Sequence, residues 1–501
     1  MAIIATFNDG YDDTGGPDDV IGTGGYDTVL FQVDNNNAYT IDSRVFDMRI
    51  TNFISIEEIQ LSEINPLNGV QADLQVELSG DQIGAGLSAN LHIIGDIDSA
   101  NSEAILIFMD TSTTLDISGW TFTDWGNETI YIYGDADAET FTGSSEQDYI
   151  DGGAGDDTFR YLDGQDGIPY YGDTFKGGAG NDTLLLVLNA TATDTLFDLR
   201  ELTLQSLEQI TFSSAGGLDA TLLLSASQAA WDLPANMHVT GSNAPGQTEA
   251  IELEMGAVTT LDLSGWTFAD WGSQGERITI TGDSDAETIT ASAGRDFVHG
   301  LAGDDQLHGG GGTDDLYGGS GFDQLFGDAG NDWIYGSFGN DTLFGGDGND
   351  GMYGHAGDDT LMGEGGDDVL FGNDGADNLA GGPGDDVLRG HADNDILEGG
   401  DGNDVLYGGA GDDVLIGGAG DDVLYGGIGL EVMVFDAGWG TDTVHGFADG
   451  QDVFDLVSLG ITFADLTITA VGGDTHISYN GDTIIVVGVD PSLIDYSDFT
   501  F

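Results

Sequence analysis

The chain has 501 residues, 8 Lys plus Arg against 90 Asp plus Glu, and a formal net charge of −82. Such acidity repels nucleic-acid phosphates and anionic membrane surfaces, so neither is expected as a partner. With 40% apolar residues, 83 Gly and only 7 Pro the composition favours compact structure with many tight turns, and the absence of cysteine excludes disulfides and thiolate metal sites.

The N-terminal MAIIATFNDG has no basic segment, and its apolar run Ala2–Phe7 is too short for the core of a cleavable leader. No run of about 18 apolar residues occurs anywhere, so no membrane span is expected. Two similar halves follow. TTLDISGWTFTDWG (113–126) reappears as TTLDLSGWTFADWG (259–272), GDADAET (134–140) as GDSDAET (282–288), and FDMRITNFISIEEI (46–59) pairs with FDLRELTLQSLEQI (197–210). The copies divide the region into modules of residues 1–150 and 151–292. Alternation such as Ile130/Ile132 and Ile278/Ile280 predicts short strands, and helical periodicity is confined to Leu222–Trp231. Single acidic turns punctuate both modules, with Asp18 and Asp27, Asp148 and Asp157, and Asp173 and Asp182 each nine residues apart; Glu146 replaces the usual Gly before Asp148.

From 293 to 428 the period becomes strict. Asp recurs every nine residues at Asp296, Asp305, Asp314, Asp323, Asp332, Asp341, Asp350, Asp359, Asp368, Asp377, Asp386, Asp395, Asp404, Asp413 and Asp422. Two positions after each stands an apolar residue, and two positions before each stands Gly, Asp393 being the one substitution. In this GGxGxDxUx unit six residues are expected to turn and three to form a strand, so that two units complete a coil. Like-sided aspartates then recur at every second unit, and Asp296, Asp314 and their successors line one edge while the other seven line the opposite edge. The glycines permit positive φ and turn carbonyls into the loop; the Asp adds a hard carboxylate oxygen, the donor that Ca²⁺ prefers. Stacked carboxylates repel one another, so the coil is expected to be largely unfolded without calcium.

Residues 429–501 change character. The nonads stop, strand-like runs appear at Asp452–Leu456, Leu466–Ile468, His476–Tyr479 and Thr483–Val489, and no Lys or Arg follows Arg389.

The nonads resemble those of the RTX (repeats-in-toxin) family, whose calcium-binding β-helix repeat has this form. The resemblance implies an all-β protein: a parallel β-roll over 293–428, preceded by two duplicated β-rich modules of solenoid or sandwich type and followed by a β-rich cap. It implies multiple Ca²⁺ ions, with the fifteen aspartates as ligands; the same role extends to Asp18, Asp27, Asp148, Asp157, Asp173 and Asp182, and Asp393 would weaken one site. GWGTDTVHGFADGQDVFDL (438–456) and the DFTF ending look like the cap and uncleaved C-terminal signal of type I secretion substrates. The first 292 residues are similar in style to RTX surface-layer proteins of Gram-negative bacteria. The implied location is extracellular, at the cell surface; the implied partners are calcium, the type I export machinery, further copies of the chain in a lattice or filament, and a cell-surface polysaccharide.

No enzyme is expected. None of the eight histidines begins HExxH and no serine sits in GxSxG, although residues 1–292 could hold a polysaccharide-active site of unrecognised type. Trp120/Trp125 and Trp266/Trp271 recur in both copies, either as stacking platforms for sugars, which would make the protein a lectin or adhesin, or as core. Glu139 and Glu287 also recur, as turn or calcium ligands. Tandem β modules without catalytic residues favour a self-assembling structural protein of S-layer type.

Overall fold

A computed structural model describes residues 277–501 without interruption and most of 103–269; before residue 103 it describes the strands, with the side chains of Leu78 and Ile93 only. Two compact units are distinguished, Met1–Glu249 with Thr267–Gly275 and Ala250–Trp266 with Glu276–Phe501.

In the first unit a two-residue period decides the structure. Ile105, Ile107, Ile130, Ile132 and Ile150 are buried while the residues between them face outward, which makes strands with one apolar face. Strands Glu103–Phe108, Thr129–Tyr133, Gln147–Asp151, Thr174–Lys176 and Thr203–Gln205 lie side by side in one sheet. Strands Thr140–Thr142, Thr158–Leu162, Thr183–Leu188, Gln209–Ser214 and His238–Thr240 form a second. Every one of these pairings is parallel, so of the two sequence alternatives the unit is a solenoid and not a sandwich. Its coils are uneven: Thr129 pairs with Gln147, Tyr149 with Thr174 and Thr174 with Thr203, each step longer than the one before.

The segment Leu222–Trp231 starts as strand and is helical from Ala226 onward. Leu222 and Leu224 are buried at strand spacing in Ala220–Ser225, and helical residues follow from Ala226 through the turn Gln228–Asp232. The Gln228 side chain fixes this corner by donating to the carbonyls of Leu199 and Leu202, both at 2.7 Å.

In the second unit the coil takes a constant length of two nonads. Parallel pairs run from Ile278↔Asp296 through Leu316↔Ile334 to Leu406↔Leu424 on one sheet, and from Leu307↔Leu325 to Leu397↔Leu415 on the other. One apolar side chain per nonad, from Val298 and Leu307 to Leu415 and Leu424, fills the core with no exposed surface. The strands are longer than the expected three residues. Val405–Ala410 has six, because the backbones of Gly409 and Ala410 still pair with Gly427 and Ile428 beyond the core residue.

The regular coil ends by lengthening. Val423 pairs with Thr443 and Val432 with Val453, each step reaching past the length of two nonads. A three-stranded antiparallel meander, Thr467–Val471, Asp474–Tyr479 and Asp482–Val486, completes one sheet, and Phe499–Thr500 adds to the strand Val453–Asp455 of the other. Phe447 stacks on Phe454 at 4.6 Å and Phe499 lies 5.4 Å from Phe454, forming the apolar plug of this end.

Candidate metal centre

The turn between strands is possible only because particular positions are glycine. Gly321 has φ +152°, and a Cβ there would lie 1.6 Å from the carbonyl oxygen of Gly303 one coil earlier. Gly348, Gly384 and Gly420 repeat this approach to Gly330, Gly366 and Gly402. Where another residue takes a left-handed turn position, as Leu301, His355, Glu364, His391 and Asp393 do, it is held at positive φ against its preference.

Close stacking sets the fifteen aspartates into two columns. Each carboxylate is at most 2% exposed. On one edge the Oδ1 atoms of Asp314, Asp332, Asp350, Asp368, Asp386, Asp404 and Asp422 each accept from the backbone N–H of the aspartate one coil before, at 2.8 Å. On the other edge Asp323, Asp341, Asp359, Asp377, Asp395 and Asp413 do the same at 2.8–3.0 Å. An outer ladder, invisible in the aspartate count, runs the opposite way: Asn331, Asn340 and Asp367 accept from the N–H of Asn349, Asp358 and Asp385 one coil later.

The second oxygen of each column aspartate has no partner. Oδ2 of all fourteen from Asp305 to Asp422 is buried without a hydrogen bond, as is Oδ1 of Asp296. Carbonyl oxygens lie beside them: a Cβ on Gly300 would meet Asp305 Oδ2 at 2.4 Å and the Gly318 oxygen at 2.7 Å, and Gly363 and Gly408 repeat the arrangement with Asp368 and Gly381, and Asp413 and Gly426. Burial, with help from the carboxylates of adjacent coils, pushes Asp314 up to about 9 and Asp323, Asp332, Asp359, Asp368, Asp395 and Asp404 to about 7. Buried anionic oxygens facing carbonyl oxygens, with no donor between them, are the donor set of a hard cation, so the residues present fit Ca²⁺. Among the described residues no group of three or more acidic or histidine side chains is arranged to hold a metal by itself, so backbone carbonyls must share in any such site.

The columns have counterparts in the first unit. Asp173 and Asp182 accept from the N–H of Asp148 and Asp157, both at 2.8 Å, across a coil longer than two nonads. Asp18 and Asp27 lie outside the described residues. Several acids missed by counting nines also belong to columns. Asp442 accepts from the Asp422 N–H at 3.1 Å, Asp452 from Glu431 at 3.3 Å, and Glu208 from Asp182 at 2.8 Å. Asp442 and Asp452 stand in Gly440–Thr–Asp442–Thr–Val444 and Gly450–Gln–Asp452–Val–Phe454, the same GxDxU signal with the nine-residue count broken. Glu139 and Glu287, each 2% exposed, are raised to about 8 by burial and by Asp157 and Asp305 beside them.

Trp120 and Trp266 are 1% exposed and present no ring to a sugar; Trp125 and Trp271 lie outside the described residues. Outward rings stack along the solenoid instead: Tyr317, Tyr335, Tyr353 and Phe371 succeed one another at 4.6–5.1 Å with interplanar angles of 4–9°. Each face is thus covered by the next ring.

Comparison with known proteins follows the same boundaries. The family model for the RTX calcium-binding nonapeptide repeat matches residues 133–168, 170–185 and, in overlapping placements, 281–429. No curated protein matches the chain. Among solved structures, that of the extracellular lipase LipA from Serratia marcescens aligns at 13% identity over 79% of this chain and 67% of the other, with a TM-score of 0.17.

Proposed function

Because the chain is an RTX-family calcium-binding protein, we propose that it folds outside the cell around calcium held along its aspartate columns, and that the folded chain self-assembles as a structural component of the cell surface or extracellular matrix. The observation that carries the first part is the run of buried Oδ2 atoms without hydrogen-bond partners from Asp305 to Asp422. Bound calcium would supply the positive charge these oxygens lack. The fifteen aspartates, with Asp148, Asp157, Asp173 and Asp182, would be the side-chain ligands, and the position-one glycine carbonyls the backbone ligands. Oδ1 of each column aspartate from Asp305 to Asp422 is committed to the coil before it, which leaves the other oxygen to the ion.

RTX-repeat proteins are typically secreted. Extracellular calcium modules bind at about 10⁻⁴–10⁻³ M, far above cytosolic calcium, so this chain would stay open inside the cell. An open chain without cysteine suits passage through a type I exporter. Assembly is supported by an apolar patch on one edge of the roll: Leu301, Phe322 and Phe338, on three successive coils, are 50%, 63% and 70% exposed. Exposed apolar groups gathered in this way mark contact surfaces, and a second copy is the occupant proposed here.

The test is circular dichroism and electron microscopy of the purified chain, titrated from chelator to about 10 mM calcium. A β signal that rises with calcium, and ordered arrays that disappear in Phe322→Ser/Phe338→Ser while the β signal remains, are the expected results. A fully folded chain in chelator would refute the calcium reading. A folded chain that stays monomeric at high concentration would refute assembly.

A further inference from the structure

On one sheet of the roll the residue after each core side chain is turned outward and half-buried, and on successive coils these residues form a single stack. His299, Tyr317, Tyr335, Tyr353, Phe371, Arg389, Tyr407, Tyr425 and His445 succeed one another in parallel register. The Arg389 guanidinium fills the one place without a ring, 4.3 Å over Tyr407 and 5.9 Å over Phe371. The stack therefore holds two runs of phenols. Tyr317, Tyr335 and Tyr353 follow at 4.6 and 5.1 Å with interplanar angles of 4° and 9°, and Tyr407 lies 4.7 Å from Tyr425 at 5°.

Aromatic pairs left to themselves avoid the face-to-face sandwich. Here the backbone pairing of successive coils imposes it, so the rings keep this register for as long as the coil is wound. The spacing brings each phenol within reach of covalent coupling to its neighbour. The torsion of tyrosine about Cβ–Cγ is broad. A quarter-turn of two neighbouring rings about that bond directs the carbon ortho to each hydroxyl along the line between the ring centres, with little movement of the backbone. The chain has no cysteine, so no disulfide ties one coil to the next.

We propose that Tyr317, Tyr335 and Tyr353, and Tyr407 with Tyr425, are sites of oxidative cross-linking, at which a one-electron oxidant driven by hydrogen peroxide joins tyrosines of adjacent coils. Each of two neighbouring phenols gives up one electron and one proton, and the two phenoxyl radicals form a carbon–carbon bond between their ortho carbons. The hydrogen on each of these carbons then moves to the oxygen of its own ring, which restores two phenols. The two electrons and two protons released reduce one hydrogen peroxide to two waters. Tyr335 has a partner on either side, and Phe371 ends the first run because its ring lacks the hydroxyl that the radical requires. The link ties together coils that otherwise depend on calcium, and so holds them wound when calcium is withdrawn. It rests on the reading above in that calcium winds the coil, since an unwound chain does not bring these tyrosines together.

The test treats the full chain in calcium with a haem peroxidase and hydrogen peroxide, at a concentration low enough to keep chains apart, and maps the monomer by digestion and mass spectrometry. Joined peptides with the loss of two hydrogens are expected at Tyr317–Tyr335 or Tyr335–Tyr353, and at Tyr407–Tyr425. Tyr335→Phe, a residue that Phe371 shows the stack to accept, is expected to lose the first links and keep Tyr407–Tyr425; Tyr425→Phe gives the reverse. The linked monomer is expected to keep in chelator a part of the β signal that the untreated chain loses. A wound monomer with no link in either run overturns the proposal. Coupling of Tyr131 to Tyr149, which lie 5.7 Å apart and tilted by 41°, in place of the stacked runs also overturns it. So do equal yields of the same links from a chain unwound in chelator. A chain that stays wound in chelator and forms the links overturns the calcium reading and leaves the cross-linking sites standing.

Discussion

At Gly321 the backbone sits at φ +152° with a carbonyl 1.6 Å from where a Cβ would be, so neither the conformation nor the space admits a side chain. Gly321→Ala is therefore expected to destabilise the calcium-loaded protein by about 2–4 kcal/mol, read as a lower urea midpoint. Asp393 gives the opposite case. It holds a left-handed φ of +72° in a column otherwise made of glycine, and its charge raises Asp377 and Asp395 further. Asp393→Gly is expected to stabilise by about 1 kcal/mol in the same measurement; a fall in the midpoint would show that Asp393 has a role its conformation does not reveal. These positions were legible because a nine-residue count puts glycine and aspartate in fixed columns. Asp442 and Asp452 escaped the count because the coil lengthens there beyond two nonads, although the local GxDxU spacing persists. Trp120 and Trp266 show the limit of residue identity: a buried indole and a sugar platform look the same in sequence, and only burial separates them.

At the scale of strands and coils, the unit that can be added or removed is the full coil of two nonads, not the single nonad. Deleting Val369–Asp386 brings strand Val387–Ala392 under Gly351–Ala356 in the same sheet, with Leu388 entering the core place of Leu370. The chain is expected to fold in calcium with two ions fewer by native mass spectrometry, as nearest-neighbour stacking allows. Deleting one nonad, Val369–Asp377, would place Ala380 rather than Phe371 over Tyr353 and break the outward ring ladder, so its thermal midpoint should fall below that of the longer deletion. An equal or higher midpoint would mean that the ladder contributes nothing. Strand length and the fate of Leu222–Trp231 were not legible for a related reason. Backbone pairing continues through Gly409 although glycine has no side chain to signal it, and the helical period read over Leu222–Trp231 holds only from Ala226, since Leu222 and Leu224 are buried at strand spacing.

For the molecule as a whole, the net charge of −82 announced that cations were required. The parallel winding of the first unit was hidden, because its coils grow from the Thr129–Gln147 step to the much longer Thr174–Thr203 step and leave no fixed period to count. The same charge makes pH a substitute for calcium. In the folded chain burial raises Asp350 and Asp377 to about 6, Asp323, Asp332, Asp359 and Asp368 to about 7, and Asp314 to about 9, against an ordinary aspartate value of about 4 in the unfolded chain. The folded chain therefore binds protons more tightly than the unfolded one, and without calcium this contribution is fully present below pH about 4 and lost as pH rises through about 6–9. In chelator the β signal is expected to be substantial at pH about 5 and to vanish by pH about 8. With millimolar calcium the dependence reverses, since protons compete with the ion for the same oxygens: the signal should be complete at pH about 8 and the calcium midpoint should move to higher concentration at pH about 5. Circular dichroism along both pH series, at protein concentrations low enough to avoid precipitation near the isoelectric point of 4.1, separates the two regimes. A chelated chain with the same signal at both pH values would show that the buried carboxylates do not control folding, and the account of the aspartate columns would fall with it.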